Sequence, residues 1–360
     1  MQAGLVGLPN AGKSTLFNAL TRGGALVANY PFSTIDPNVG VAELADKRLE
    51  AIVSVVKPQQ VVPAVVHFVD IAGLVRGANK GEGLGNQFLS HIRAVDALVH
   101  VVRCFHDEHV AHVTGAISPR QDIEVVETEL MLADLQAVEK RMERVSRDLK
   151  TGLQIYKDEM AALEKIAGDL QRNIPARLSL ASAAGWLDNI SLLTAKPVVY
   201  CANVGDDDPA GESPAVREVI DYAKSQGAGW VVINAKLEAE LAELPAEEAA
   251  EFLAELQMEE TGLSRLAAAT YRQLGLITFY TVKGPQTRAW SLPEGTPAPR
   301  AAGMIHSDME RGFIRAEVIQ WDELVNIGSF QKARDLGKVR SEGKDYIIQD
   351  GDVVLFRFNV

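Results

Sequence analysis

Apolar positions along the first two-thirds of the chain fall into two alternating patterns. Short, almost unbroken apolar runs stand at Gly4-Leu5-Val6, Val65–Val69, Ala97–Phe105, Val198–Ala202 and Trp230–Ile233. Runs this short, with few polar interruptions, predict strands, with those at Gly4–Val6, Ala97–Phe105 and Val198–Ala202 buried. Between them, Leu16–Thr21 and Asn86–Arg93 have helical spacing. The alternation predicts a parallel sheet with helices on both sides. From about Asp122 the pattern changes. Met131, Leu135, Val138, Met142, Val145 and Leu149 recur at steps of four and three, and after Thr151-Gly152 so do Tyr156, Met160, Leu163, Ala167 and Leu170. Charged residues fill the gaps. Two helices with coiled-coil seams and a tight turn between them predict an antiparallel arm of roughly 30 Å or more.

Residues 238–275 are rich in Ala, Glu and Leu and predict helix. From Leu276, β-prone runs are separated by turn signals at Lys283-Gly284, Pro293-Glu294-Gly295, Gly343-Lys344 and Gln349–Asp352. Helical pieces are expected around Met304–Arg311 and Glu323-Leu324. The expected division is an α/β domain over 1–118, the arm over 119–178, the α/β domain resumed over 179–275, and a small α+β domain over 276–360.

Composition narrows the class. The chain has 360 residues, 47% hydrophobic and 23% charged, an ordinary soluble balance. No apolar run is long enough to span a membrane, and the N-terminus leads directly into the first strand, so no signal peptide is expected. Cys104 and Cys201 lie in predicted strands and are expected to be small buried hydrophobes in a reducing cytoplasm. The net charge of −12 argues against a protein that coats nucleic acid. From Ile277 onward, however, 11 Lys+Arg balance 11 Asp+Glu, so a local basic face can exist there.

The chemistry begins at Gly7-Leu8-Pro9-Asn10-Ala11-Gly12-Lys13-Ser14-Thr15, a G-x-x-x-x-G-K-[ST] phosphate loop between the first strand and a helix. Gly7 and Gly12 are expected to let the backbone curl so that N–H groups face an anion. Lys13 is expected to reach the β- and γ-phosphates, and Ser14 to ligate Mg²⁺. Asn29–Asn38 stands where a first switch belongs, with Thr34 the candidate metal ligand and Ser33 its rival. Asp70-Ile71-Ala72-Gly73 ends a strand: Asp70 would hold Mg²⁺ through water, and the Gly73 N–H would touch the γ-phosphate. Where many GTPases carry a water-orienting glutamine, this chain has Leu74, and the glycine-rich Arg76–Gly85 stretch stands as a second switch. His106, His109 and His112 lack the spacing of a four-ligand metal site with the cysteines. Asn203-Val204-Gly205-Asp206 occupies the base-recognition position with valine in place of lysine. Asn234-Ala235-Lys236 stands where a third base loop would turn an N–H toward the base.

With these motifs in place, the chain resembles the Obg-like ATPases of the YchF type over essentially its full length. The resemblance rests on residues 7–15, 29–38 and 70–86, and on Gly343–Asp352. It implies a P-loop GTPase core, an inserted coiled-coil arm, a β-grasp-like TGS domain, ATP preferred over GTP, and association with the ribosome. Carried over, Asn10, Ala11, Gly12, Lys13, Ser14 and Thr15 would hold phosphates. Ser14 and Thr34 would hold Mg²⁺, and the Val204 backbone would meet the adenine. Asn10 also matches an asparagine that coordinates K⁺ in some relatives, and His112 best fits a histidine implied as a catalytic aid. The family's base motif ends in glutamate, whereas this chain has Asp206, the residue guanine recognition uses. The expected function is a cytoplasmic, monomeric ATPase switch that engages the ribosome and its RNA. The rivals are a GTP-specific enzyme of the same architecture and a ribosome- or RNA-binding module with vestigial hydrolysis.

Overall fold

The computed structural model describes residues 1–27, 38–71, 84–107, 117–179 and 190–359. In chain order the elements are β1 (Gln2–Val6), α1 (Lys13–Val27), β2 (Val39–Glu43), α2 (Lys47–Val56), β3 (Gln60–Val62), β4 (Val65–Asp70), α3 (Leu84–Ala94), β5 (Ala97–Arg103), α4 (Pro119–Asp148), α5 (Gln154–Gln171), α6 (Ala176–Ser179), β6 (Val198–Asn203), α7 (Pro214–Ser225), β7 (Gly229–Ile233), α8 (Ala235–Leu241), α9 (Ala246–Glu255) and α10 (Gly262–Gln273). The last part holds β8 (Leu276–Lys283), β9 (Gln286–Pro293), α11 (Ala298–Ile305), α12 (Ser307–Arg311), β10 (Phe313–Gln320), α13 (Trp321–Ile327), α14 (Phe330–Asp335), β11 (Arg340–Glu342) and β12 (Asp352–Phe358). The fold class is mixed α/β, as the alternating patterns predict.

The first unit comprises 1–42 and 67–273. Its sheet has the order β2-β4-β1-β5-β6-β7, and the four pairings from β4 to β7 are parallel. Every residue of β5 and β6 is buried, the signature of strands covered on both faces. Helices α3, α4 and α7 close one face, while α1 and α10 pack on the other. The thiols of Cys104 and Cys201 are buried, and burial pushes Cys201 up to about 12, so both act as small hydrophobes.

The arm is present, but its root lies deeper than the seam suggests. Helix α4 has 30 residues, about 45 Å. Its first turns place Ile123, Val126, Leu130 and Ala133 in the core of the sheet domain. Only from Met131 onward does it pack on α5, where Met131, Val138, Val145, Leu163, Ala167 and Leu170 hold the expected seam, Ile166 joins it, and Leu149 falls in the turn beyond the end of α4. Gly152, at φ 74°, makes the turn. A buried polar cluster fixes the root. Glu127 accepts from Arg177 Nη2 at 2.7 Å and from the hydroxyls of Tyr222, at 2.6 Å, and Tyr200. Burial opposes its ionisation, but Arg177 and the two tyrosines hold its carboxyl below the usual range. Farther along α4, buried Asp134 accepts from the N–H groups of Leu193 and Thr194 and ties the chain before β6 to the arm.

The helix expected over 238–275 is three helices. Pro245 starts α9, Gln257 takes a left-handed φ of 57° after it, and the buried Glu238 carboxylate of α8 accepts from the N–H groups of Gly262 and Leu263 at the start of α10.

The second unit comprises 43–66 and 274–360. The expected first part ran unbroken over 1–118, but α2 and β3 pack here instead. β3 pairs with β9 at the end of a sheet ordered β11-β10-β12-β8-β9-β3. Arg48 explains the attachment: its guanidinium donates to Asp46 and to Asp350, while Asp46 caps α2 and accepts from Tyr280. One face of the sheet holds Phe279, Leu292, Val318 and Phe356 under α11, and the other packs Tyr280, Ala289, Ile319 and Val353 against Leu49 and Ile52 of α2 and Leu324 of α13. At one end, Glu317 accepts from Arg357, Arg315 and Arg334. The Arg357 bond foremost, with Arg334, brings its carboxyl down to about 2.

Two outcomes follow. Glu127→Ala removes the partner of a buried guanidinium and lowers stability by about 3 kcal/mol, read as the urea midpoint, while Glu127→Gln costs less. Glu317 is ionised when folded far below the ordinary glutamate value of about 4.3, so its stabilisation is complete above that pH and is lost as pH falls toward 2. The melting-temperature gap between the native chain and Glu317→Gln is therefore expected at pH 6 and gone near pH 2.

Candidate nucleotide site

The site lies at the carboxyl ends of β1, β5, β6 and β7, where a parallel sheet of this kind opens to solvent. The loop after β1 turns at Asn10, φ 65°, and at Gly12, φ 90°. Both angles are left-handed, which favours glycine at 12 and is tolerated by asparagine at 10. Gly12 is required for a second reason: a Cβ there would fall 2.0 Å from Asn203 Nδ2. Gly7 serves differently from the expectation of a curl. It has no positive φ, and its role is close approach, since a Cβ would meet the Val101 carbonyl at 2.6 Å.

Lys13 opens α1 and is 9% exposed, and its ammonium donates to Asp70 Oδ1. The pairing follows from topology. β4 runs parallel to β1 with Asp70 opposite Leu5, so the end of β4 lies beside the start of the loop. Ser14 and Thr15 are exposed in the first turn of α1. A hydroxyl and a carboxylate, both hard oxygen donors, suit magnesium, which takes few protein ligands and relies on phosphates and water for the rest. The residues present therefore fit that ion.

The side of the cleft formed by residues 203–206 and 234–236 is built around Asn203, the last residue of β6. Its Nδ2 donates to the Ala11 carbonyl at 3.0 Å, and its Oδ1 accepts from the Ala235 N–H at 3.0 Å. The Val204 N–H donates to Ile233 O at 2.8 Å. In the 234–236 loop, expected to turn an N–H toward the base, two of the N–H groups are engaged within the protein. The Ala235 N–H is engaged by Asn203, and the Lys236 N–H by the Asn234 side chain, which caps α8. Asp206 is exposed and accepts from Asn234 Nδ2 and Lys236 Nζ, both at 2.8 Å, which hold its carboxyl below the usual range.

Together these groups line a cleft of about 980 Å³, joined by Phe105, His106, Asp107 and Lys236. That volume suits a nucleotide. The structure thus brings together Asn10, Gly12, Lys13, Ser14, Thr15, Asn203, Val204, Asp206, Asn234 and Ala235, with Asp70 on Lys13 and Ala11 bonded to Asn203. Thr34, Gly73, Leu74 and His112 lie outside the described residues, as do nearly all of the first switch and most of the second. Sequence reasoning missed Phe105 and Asp107 as cleft residues, and placed Lys236 in the 234–236 loop without giving its side chain a role. The only signal was that Phe105 and Asp107 follow a buried strand. Arg103, itself buried, shapes their loop by donating to the Phe105 and Asp107 carbonyls and stacking 4.6 Å from the Phe105 ring.

Comparison with known proteins agrees with this geometry. A family model described as "50S ribosome-binding GTPase" matches residues 2–145, and the YchF-GTPase C-terminal model, described as "Protein of unknown function (DUF933)", matches 276–359. "Ribosome-binding ATPase YchF" of Bacillus subtilis is 48% identical with full coverage of both chains, and that of Escherichia coli O157:H7 is 48% identical over 100% of this chain and 99% of its own. Among solved structures, the Schizosaccharomyces pombe YchF GTPase superposes with a TM-score of 0.87 at 33% identity, covering 99% of this chain and 97% of its own. A phosphate loop braced by Asn203, a lysine–aspartate pair joining α1 to β4, and full-length identity near one half lead to one conclusion: this chain belongs to the YchF family of P-loop NTPases.

Proposed function

We propose that this chain binds ATP, hydrolyses it to ADP and phosphate, and uses its nucleotide state to control association with the ribosome, as a cytoplasmic monomer. The observation that carries this reading is the buried Lys13 ammonium at the mouth of a glycine-turned loop, paired with Asp70 from the neighbouring strand. The loop N–H groups from Asn10 to Thr15 and the N-terminus of α1 receive the phosphates. Lys13 then exchanges part of its contact with Asp70 for β- and γ-phosphate oxygens. With that contact loosened, Asp70 would be available to orient water around a magnesium ion, which Ser14 and Thr34 would hold. Magnesium, when bound, neutralises charge on the phosphates as the leaving group forms. Gly73 donates its N–H to the terminal phosphoryl. Since the Val204 N–H is committed to Ile233, its carbonyl is the group suited to an adenine amine. Leu74 cannot polarise water, so turnover is slow unless His112, or K⁺ held through Asn10, supplies the missing charge. No helix among the described residues is long and apolar enough to cross a membrane.

One observation favours the second reading, a GTP-specific enzyme: Asp206 occupies the position from which a carboxylate reads guanine. Titration with labelled ATP and GTP separates the two, and uptake of GTP alone would replace the first choice. Lys13→Ala is expected to reduce phosphate release at least a hundredfold and to weaken ATP binding in calorimetry. If ribosome co-sedimentation with ATP is indifferent to this substitution, control by nucleotide is wrong. Turnover in K⁺ is expected to exceed turnover in Na⁺ severalfold, with Asn10→Ala abolishing the difference; equal rates in the native chain would remove K⁺ from the site.

A further inference from the structure

In this cleft the aspartate that should read guanine is already engaged. Guanine offers two donors, N1–H and the N2 amine, and a motif aspartate accepts both. Here Oδ1 of Asp206 accepts from Asn234 Nδ2 and Oδ2 from Lys236 Nζ, each at 2.8 Å. Neither donor is placed by chance. The Asn234 side-chain oxygen accepts from the Lys236 and Leu237 N–H groups at 3.1 Å as the N-cap of α8, which fixes the amide orientation and turns Nδ2 toward Asp206. The same cap starts the helix on which Lys236 stands. Lys236 thus pairs with Asp206, while the position where guanine-specific relatives of this motif carry lysine holds Val204, 3% exposed.

We propose that Lys236, with Asn234, sets nucleobase selectivity by neutralising and occupying the Asp206 carboxylate, so that guanine loses its reader and ATP becomes the favoured nucleotide. The proposal rests on the reading that this cleft holds a purine triphosphate. A guanine entering the cleft must share each carboxylate oxygen with a donor already in place, beside an ammonium that has cancelled its charge. Adenine has no donor at N1 and loses nothing to the pair. Both partners are about two-thirds exposed, so solvent screens the pair and the effect is modest.

The test measures ATP and GTP dissociation constants by calorimetry with magnesium, on the full chain and three variants. Lys236→Met keeps the length of the side chain and removes its charge. It is expected to raise GTP affinity relative to ATP about fivefold, the upper range for an exposed pair. Lys236→Arg retains a charged donor and is expected to keep the native ratio. Adding Asp206→Ala to Lys236→Met is expected to erase the gain, because the acceptor is gone. An unchanged ratio in Lys236→Met, or a gain that survives loss of Asp206, overturns the proposal. If the native chain takes up ATP but the ratio never moves, only this inference falls. If it takes up neither nucleotide, the reading of the cleft falls and the proposal with it.

Discussion

The side chain of Asn203 is the brace on which the site depends. One amide group, at the end of a fully buried strand, donates to the loop carbonyl of Ala11 and accepts from the first N–H of α8. It thereby ties the loop after β1 to the start of α8. The contact tolerates nothing larger than hydrogen at position 12, where any Cβ would fall inside the amide. A left-handed φ at the same residue adds a second, independent demand for glycine. The phosphate-binding curl therefore belongs to the sheet edge as much as to the loop.

The same edge brings opposite charges together without exposing them fully. Parallel pairing of β1 with β4 puts Asp70 next to the start of the loop, and Lys13 reaches it from the first turn of α1. At the root of the arm, a carboxylate enclosed by Arg177, Tyr200 and Tyr222 joins α4 to β6 and α7. Such groups are costly to bury and costly to unpair, which makes each a point where geometry is strongly specified. The arm is therefore an extension of the core of the sheet domain, since its first turns are core residues.

Chain connectivity adds a constraint of its own. Residues 43–66 leave the first unit after β2, contribute α2 and β3 to the second, and return as β4, which ends on Asp70. Arg48 and Asp46 fasten that excursion to Tyr280 and Asp350, residues more than two hundred positions away. The strand that carries the candidate metal-facing carboxylate is thus covalently continuous with the C-terminal unit.

Features that depend on local chemistry could be read from the residues alone. The phosphate loop was legible in its residue types, the buried strands in their unbroken apolar runs, the arm in its steps of four and three, and the parallel sheet in the alternation of patterns. Each of these is written in near neighbours along the chain. Other features emerged only with the folded chain: that Gly7 is required by the Val101 carbonyl, that α2 and β3 join the distant C-terminal sheet, that Glu238 caps α10, and that Lys236 occupies Asp206. Those facts rest on contacts between residues from 24 to more than two hundred positions apart. No period or propensity encodes such contacts, because they exist only once the sheet has fixed which strand ends share an edge.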